Sequence, residues 1–199
     1  MKQILFFGVL LIAACGGSSD KKTAEQTDSV KTPELVLKWE SDSTLKVPES
    51  VLFDKENQIL YVSNVDGQNP WEADGKGSIG KVGLDGKVIA AEWVSGLQGP
   101  KGMGKFNGKL YVADLGNIVV IDIAGGKIEK SIPVEGATGL NDISIDPKGV
   151  IYVTEMLSKK LYKVENEKVE LVLENLKKPN GILAHGMSFI FWMMEASIK

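Results

Sequence analysis

Three side chains with oxygen donors open strand-like runs far apart in the sequence: Glu49 in PESVLFD, Asn141 in LNDISIDPKG and Asn180 in KPNGIL. Carboxylate and amide oxygens are hard donors, the kind that Ca²⁺, Mg²⁺ or Mn²⁺ prefer. Each also has a plainer reading, with Glu49 as an exposed turn carboxylate and the two asparagines as turn residues that satisfy nearby backbone groups. Lys101, in GPKGMGKF, opens another such run. It would either meet an anionic small-molecule ligand or sit in solvent as a surface lysine. Other chemistries find no support. The 199 residues include one cysteine, Cys15, and one histidine, His185, which excludes an internal disulfide framework, a multi-cysteine zinc site and a multi-histidine cage. No serine-nucleophile elbow or phosphate loop occurs. All 23 basic residues are lysine and the net charge is -3. A nucleic-acid partner would require clustered basic residues and arginine forks, so none is expected.

A repeat could bring such distant residues together. From Leu35 onward, short apolar alternations are broken by Gly, Asn and Asp, which reads as strands and tight turns. Three segments resemble one another: QILYVSNVDG (58–67), KLYVADLG (109–116) and VIYVTEM (150–156). Their tyrosines, Tyr61, Tyr111 and Tyr152, are 50 and 41 residues apart. A comparable run precedes each and two more strand-like runs follow. Four short strands in 40–50 residues is the pattern of a β-propeller blade, in which a twisted sheet that cannot bury both faces alone stacks on its neighbours. The fold class is therefore all-β, a β-propeller with about three and a half four-stranded blades. A β-sandwich with loosely similar strands is the alternative. In a propeller, the connection from one blade's outer strand to the next blade's inner strand lies at one mouth of the central channel. Glu49, Lys101, Asn141 and Asn180 all follow such connections. The loop DGQNPWEADGKG (66–77), with Trp71, Glu72 and Asp74, either covers that mouth or is an exposed insertion.

The repeats resemble the senescence-marker-protein/gluconolactonase family of six-bladed propellers over roughly Val47 to Leu183. The resemblance implies that Glu49, opening the innermost strand of an early blade, is a metal ligand. It implies the same for Asn180 in the Asn-Gly pair, and that Asn141 in the Asn-Asp pair faces the substrate. The cofactor it implies is a divalent ion, Ca, Mg or Mn. Two departures stand out. Blade two opens on Pro100-Lys101-Gly102-Met103 rather than on a ligand, and no Asp from a later blade is present to complete the site and act as general base.

Before the repeats, Lys2 precedes an apolar run from Ile4 to Ala14 that is too short for a permanent span. Ile12-Ala13-Ala14-Cys15 resembles the lipobox of bacterial lipoproteins. Residues 1–14 then read as a signal peptide, and Cys15 as the lipid-modified first residue of the mature protein. An ordinary secretory signal with an incidental cysteine is the alternative. Residues 15–34 are small and charged, with Val30 the one sizeable aliphatic side chain, and read as a solvated tether. The expected location is the bacterial cell envelope, with the membrane as partner through the lipid anchor. Residues 35–184 form the partial propeller.

Residues 185–199 read as an aberrant tail. Phe191-Trp192-Met193-Met194 is unbroken apolar sequence where the repeat should alternate and turn. The genetic code offers an account. Read two bases later, the codons from Phe191 to Glu195 must give Leu-Asp-Asp-Gly, preceded by an apolar residue, Tyr or His, and another apolar residue. That matches Leu110-Tyr111-Val112-Ala113-Asp114-Leu115-Gly116 in register. The tail thus reads as out of frame and the propeller as cut short. The parent would be a metal-dependent lactone hydrolase and this chain inactive. The alternative is a non-catalytic propeller that binds a ligand or protein at the envelope.

Overall fold

A computed structural model describes residues 34–185 and 188–193. The signal segment, Cys15, the tether up to residue 33, and residues 186–187 and 194–199 lie outside the described residues. The fourteen described strands are β1 (Pro48–Asp54), β2 (Ile59–Asn64), β3 (Gly77–Gly83), β4 (Val88–Leu97), β5 (Pro100–Phe106), β6 (Lys109–Asp114), β7 (Asn117–Asp122), β8 (Lys127–Pro133), β9 (Leu140–Ile145), β10 (Ile151–Glu155), β11 (Lys160–Glu165), β12 (Lys168–Leu173), β13 (Pro179–His185) and β14 (Ser188–Met193). They pair in chain order as three four-stranded antiparallel sheets, β1–β4, β5–β8 and β9–β12, followed by the two-stranded β13–β14. This is a partial β-propeller, three blades and the inner half of a fourth. The first strands of successive blades, β1, β5, β9 and β13, lie side by side.

The period-2 alternation of the strands explains where the core sits. In β7, Ile118 and Val120 turn toward blade three, while Val119 and Ile121 turn toward blade one. Between blades one and two, Tyr61, Ile79 and Leu97 meet Met103, Leu110 and Val112. Between blades two and three, Ile118, Ile132 and Val134 meet Leu140, Ile143 and Val153. The core is thus a set of slabs between sheets. A blade alone would leave both faces wet.

Two details concern the ends of the described chain. The alternation in Leu35-Val36-Leu37-Lys38-Trp39-Glu40 suggests a closing strand, yet residues 34–42 form no strand. Trp39 instead lies on the turn at Gly86, where a Cβ would come within 2.6 Å of Trp39 Cε3. In the tail, Ser188–Met193 forms β14, with Ile182 opposite Phe191 and Leu183 opposite Ile190. An apolar run with β-branched and aromatic residues suffices for a strand, whatever frame encodes it.

An ion pair clamps blades one and two where β1 and β5 end. Lys105 Nζ lies 2.6 Å from Asp54 Oδ1, on a side chain with no solvent exposure. Burial pushes the Asp54 carboxyl up. The Lys105 ammonium, the Asn57 amide and the Asn57 N–H outweigh it and bring the pKa from its ordinary 3.8 to about 2. Because the folded value lies below the unfolded one, this contribution is present above pH 4 and is lost as pH falls toward 2, an effect of about 2 kcal/mol. Lys105→Met should lower stability at pH 7 by a similar amount and flatten the acid limb of a pH–stability profile from urea titrations. An unchanged acid limb would contradict the assignment.

Candidate functional site

The residues singled out by sequence occupy one equivalent place. Glu49, Lys101, Asn141 and Asn180 are each the second residue of an innermost strand, β1, β5, β9 and β13. Since those strands are neighbours around the channel, the four side chains form consecutive positions on one rim. Propeller geometry makes this juxtaposition. The turns between blades are short, so every innermost strand starts at the same end.

Lys101 is not a solvated surface lysine. It is 2% exposed, and its Nζ donates to Pro70 O at 2.7 Å and to Gly99 O at 2.9 Å. It lies 4.1 Å from the centre of the Trp71 ring. Burial pushes its pKa down, while the charges of Glu49 and Asp114 oppose that shift. A buried ammonium held by two carbonyls and an aromatic face ties the 66–77 loop to the blade-two opening. This loop is therefore fixed beside the rim through Pro70 and Trp71.

Asn141 is buried, Asn180 is half-buried and Glu49 keeps solvent access. The surrounding protein withdraws enough water from Glu49 to push its pKa up. Lys101 opposes this and the negative charge of Asp142 adds to it. Asp142, the second half of the Asn-Asp pair, links blades. Its Oδ1 accepts the Ile143 N–H and its Oδ2 the Ile182 N–H of β13, both at 2.9 Å. The Asp142 N–H donates to Thr154 Oγ1 at 3.0 Å, and Thr154 Oγ1 donates to Asn180 O at 2.6 Å. Asn141 and Asn180 are thus held by backbone on either side of one carboxylate–hydroxyl bridge.

Sequence reasoning missed another set of polar residues. Asn64, Asp114 and Glu155 end the second strands of blades one to three and are all buried. Asp114 accepts the Gln98 N–H at 3.0 Å and the Gly99 N–H at 2.7 Å. Glu155 accepts from Thr138 and Ser158. Asp114 and Glu155 therefore latch the loop that enters their own blade's first strand. Asn64 instead donates to Ser78 Oγ and Ala91 O. The signal was present as the Asn, Asp or Glu three residues after each repeated tyrosine, but read as a turn residue.

The donors on the rim fit a hard divalent ion in kind. They are one carboxylate and two amides, in a field where Glu49, Asp142 and Asp114 outnumber Lys101. Among the described residues no three His, Cys, Asp or Glu side chains converge on one point. Amide oxygens would have to take part in any cation site.

The family model described as "SMP-30/Gluconolactonase/LRE-like region" matches residues 47–192. Comparison with curated protein sequences gives no significant match. Among solved structures, the chain is similar to virginiamycin B lyase from Staphylococcus aureus, at 19% identity and a TM-score of 0.55 over 73% of this chain and 48% of that one. It is also similar to Kuenenia stuttgartiensis hydrazine synthase, at 19% identity and a TM-score of 0.52 over 76% of this chain and 42% of that one. The chain thus spans less than half the length of either, and at such identities the likeness concerns the fold.

Proposed function

The chain belongs to the SMP-30/gluconolactonase/LRE-like family, and from that footing we propose that its rim is a small-molecule site of the lactone-hydrolase type on a lipid-anchored envelope protein. The observation that carries this reading is the shared position of Glu49, Lys101, Asn141 and Asn180 at the start of four adjacent inner strands. Glu49 and Asn180 would hold a divalent ion, Ca, Mg or Mn, and Asn141 would orient the ligand. When bound, such an ion polarises a carbonyl oxygen. Glu49 supplies the negative charge toward it, and the Asp142–Thr154 bridge holds the Asn180 backbone in place. Lys101 fixes Trp71 beside the mouth and offers a cation near an anionic ligand. No general base converges with these groups among the described residues, so this chain is proposed to bind without turnover.

A thermal melt with Mn²⁺ or Ca²⁺ tests the ion. Saturating metal at 100 times Kd should stabilise the protein by about 2.7 kcal/mol, and Glu49→Gln should abolish the shift. No metal-dependent shift in the unaltered protein would sink the metal site. It would favour the second reading, a non-catalytic propeller that binds a ligand or protein at the envelope.

The anchor is proposed from Ile12-Ala13-Ala14-Cys15. Two or more acyl chains on Cys15 would hold the protein on a membrane. Cys15→Ser should block lipid attachment, read as loss of incorporated radiolabelled fatty acid. Equal labelling of both forms would refute it. The frame-shift reading of residues 185–199 belongs to the same proposal and rests on the forced Leu-Asp-Asp-Gly. Its first Asp falls where Asp114 stands in blade two. If the shifted frame in the gene meets a stop at once, the reading fails.

A further inference from the structure

Tyr61 and Tyr111 hold the same place in blades one and two, and each faces the next blade. Tyr61 is fully buried. Its cover comes from an irregularity in β4, where Ala91, Glu92 and Trp93 lie between Ala90, opposite Lys81, and Val94, opposite Ile79. The extra residues turn Trp93 inward. Its ring centre lies 5.2 Å from that of Tyr61, and Lys81 Nζ sits 3.7 Å from the centre of the Trp93 ring. The indole also reaches the β7–β8 turn of blade two, where a Cβ on Gly126 would come within 2.8 Å of its Nε1.

Blade two has no such cover. Strand β8 places Ser131 alone between Lys130, opposite Val120, and Ile132, opposite Ile118. Tyr111 is left half-buried, and beside it lies a cavity of about 230 Å³ between blades two and three. The cavity is walled by Phe106, Tyr111, Ile132, Ile151 and Val164. Phe106 ends β5, so the cavity opens away from the rim on which Lys101 sits. Where the Trp93 indole bridges blades one and two, an ion pair spans the opening here. Lys130 Nζ lies 2.5 Å from Glu167 Oε1, in the β11–β12 turn. Lys148 lines the same opening. Asn166 and Glu167 both have positive φ, 51° and 65°. Such a two-residue turn favours glycine at its second position, so Glu167 holds it under strain.

We propose that this cavity binds a small aromatic carboxylate, its ring against Tyr111 and its carboxylate on Lys130 and Lys148 in place of Glu167. The interface of blades one and two shows that a ring fits beside the repeated tyrosine. The lysines set the charge, since apart from Glu167 the lining of the cavity is cationic or neutral. Glu167 is a carboxylate that the chain supplies for itself from a strained turn. A ligand that brings another lets the turn relax, and Lys130 loses no partner. This site stands apart from the rim and does not rest on the metal or lactone reading there.

The test is a calorimetric titration of the full chain in detergent with phenylacetate, beside acetate, which lacks the ring, and benzylammonium, which reverses the charge. Saturable binding of phenylacetate alone is the expected result. Glu167→Gly suits the positive φ and frees Lys130, so it should fold as before and bind phenylacetate roughly three- to fivefold more tightly, the scale of one exposed ion pair. Lys130→Met in the same detergent should weaken binding by a similar factor, which separates the cavity from uptake of the probe by the micelle. Acetate or benzylammonium binding as tightly as phenylacetate overturns the proposal. So does weaker binding by Glu167→Gly, or a Lys130→Met variant that binds as the unaltered chain does. Absence of saturable phenylacetate binding to the unaltered chain overturns it outright.

Discussion

Gly102→Ala should lower the melting temperature by roughly 6–12 °C, corresponding to about 3 kcal/mol for a domain of this size. Gly102 is the third residue of β5, next to Lys101 on the rim. A Cβ there would lie 2.2 Å from Asp142 Oδ1, 2.5 Å from Asp142 Cα and 2.8 Å from Asn141 O. Two of these three atoms are backbone, so no side-chain rotation relieves the overlap. Strand β9 must move away from β5, and Asp142 cannot then hold both Ile143 and Ile182. Calorimetry measures the loss of stability. A second reading is specific to the site: any ligand affinity that depends on Asn141 should fall further than with Lys105→Met, which lowers stability from the other end of the same strand. A melting temperature within 2 °C of the parent, on the scale of about 1 kcal/mol or less, would show that the blades are not packed this closely.

Asp114→Ala should be comparably severe, at about 3–4 kcal/mol in urea unfolding. Its carboxylate is 3% exposed, and three hydrogen bonds from two backbone groups end on it. Burial pushes its pKa up, opposed by the Gln98 and Gly99 N–H groups and by Lys101. Removing it leaves the two buried N–H donors without an acceptor and Lys101 without one of its two nearby negative charges. The loop that carries Gln98 and Gly99 should loosen, and with it the Gly99 carbonyl that Lys101 holds. The emission of Trp71 should therefore shift to the red at urea concentrations below the main transition. Asp114→Asn, which keeps one acceptor oxygen, should recover part of the stability. If the alanine variant unfolds at the parental midpoint, the latch does not hold the loop.

Much of the fold was legible because its signal is local. Strand, turn and strand recur within each repeat, and the Tyr-Val pairs of β2, β6 and β10 mark the second strand of each blade. The rim was legible for the same reason, since a residue's place in a repeat fixes its place in the ring. The state of Lys101 was not legible. Its burial comes from Pro70 and Trp71, thirty residues earlier in a loop of no regular pattern. Nor was the role of Asp114 and Glu155, because an acidic residue at the end of a strand looks the same whether it closes a turn or latches a loop. Leu35 to Glu40 shows the opposite error. Apolar alternation promises a strand only where an edge is available to pair with.

The strictly consecutive pairing of β1 to β12 has a kinetic consequence. Each four-stranded sheet is complete within one stretch of chain, and each sheet touches only the ones before and after it, so closing loops are short and the structure can grow as a linear array. Blade one can finish before blade three exists, as during synthesis or passage across a membrane. Hydrogen exchange should then report protection that decays toward the ends, with β6, β7 and β10, flanked on both sides, exchanging last.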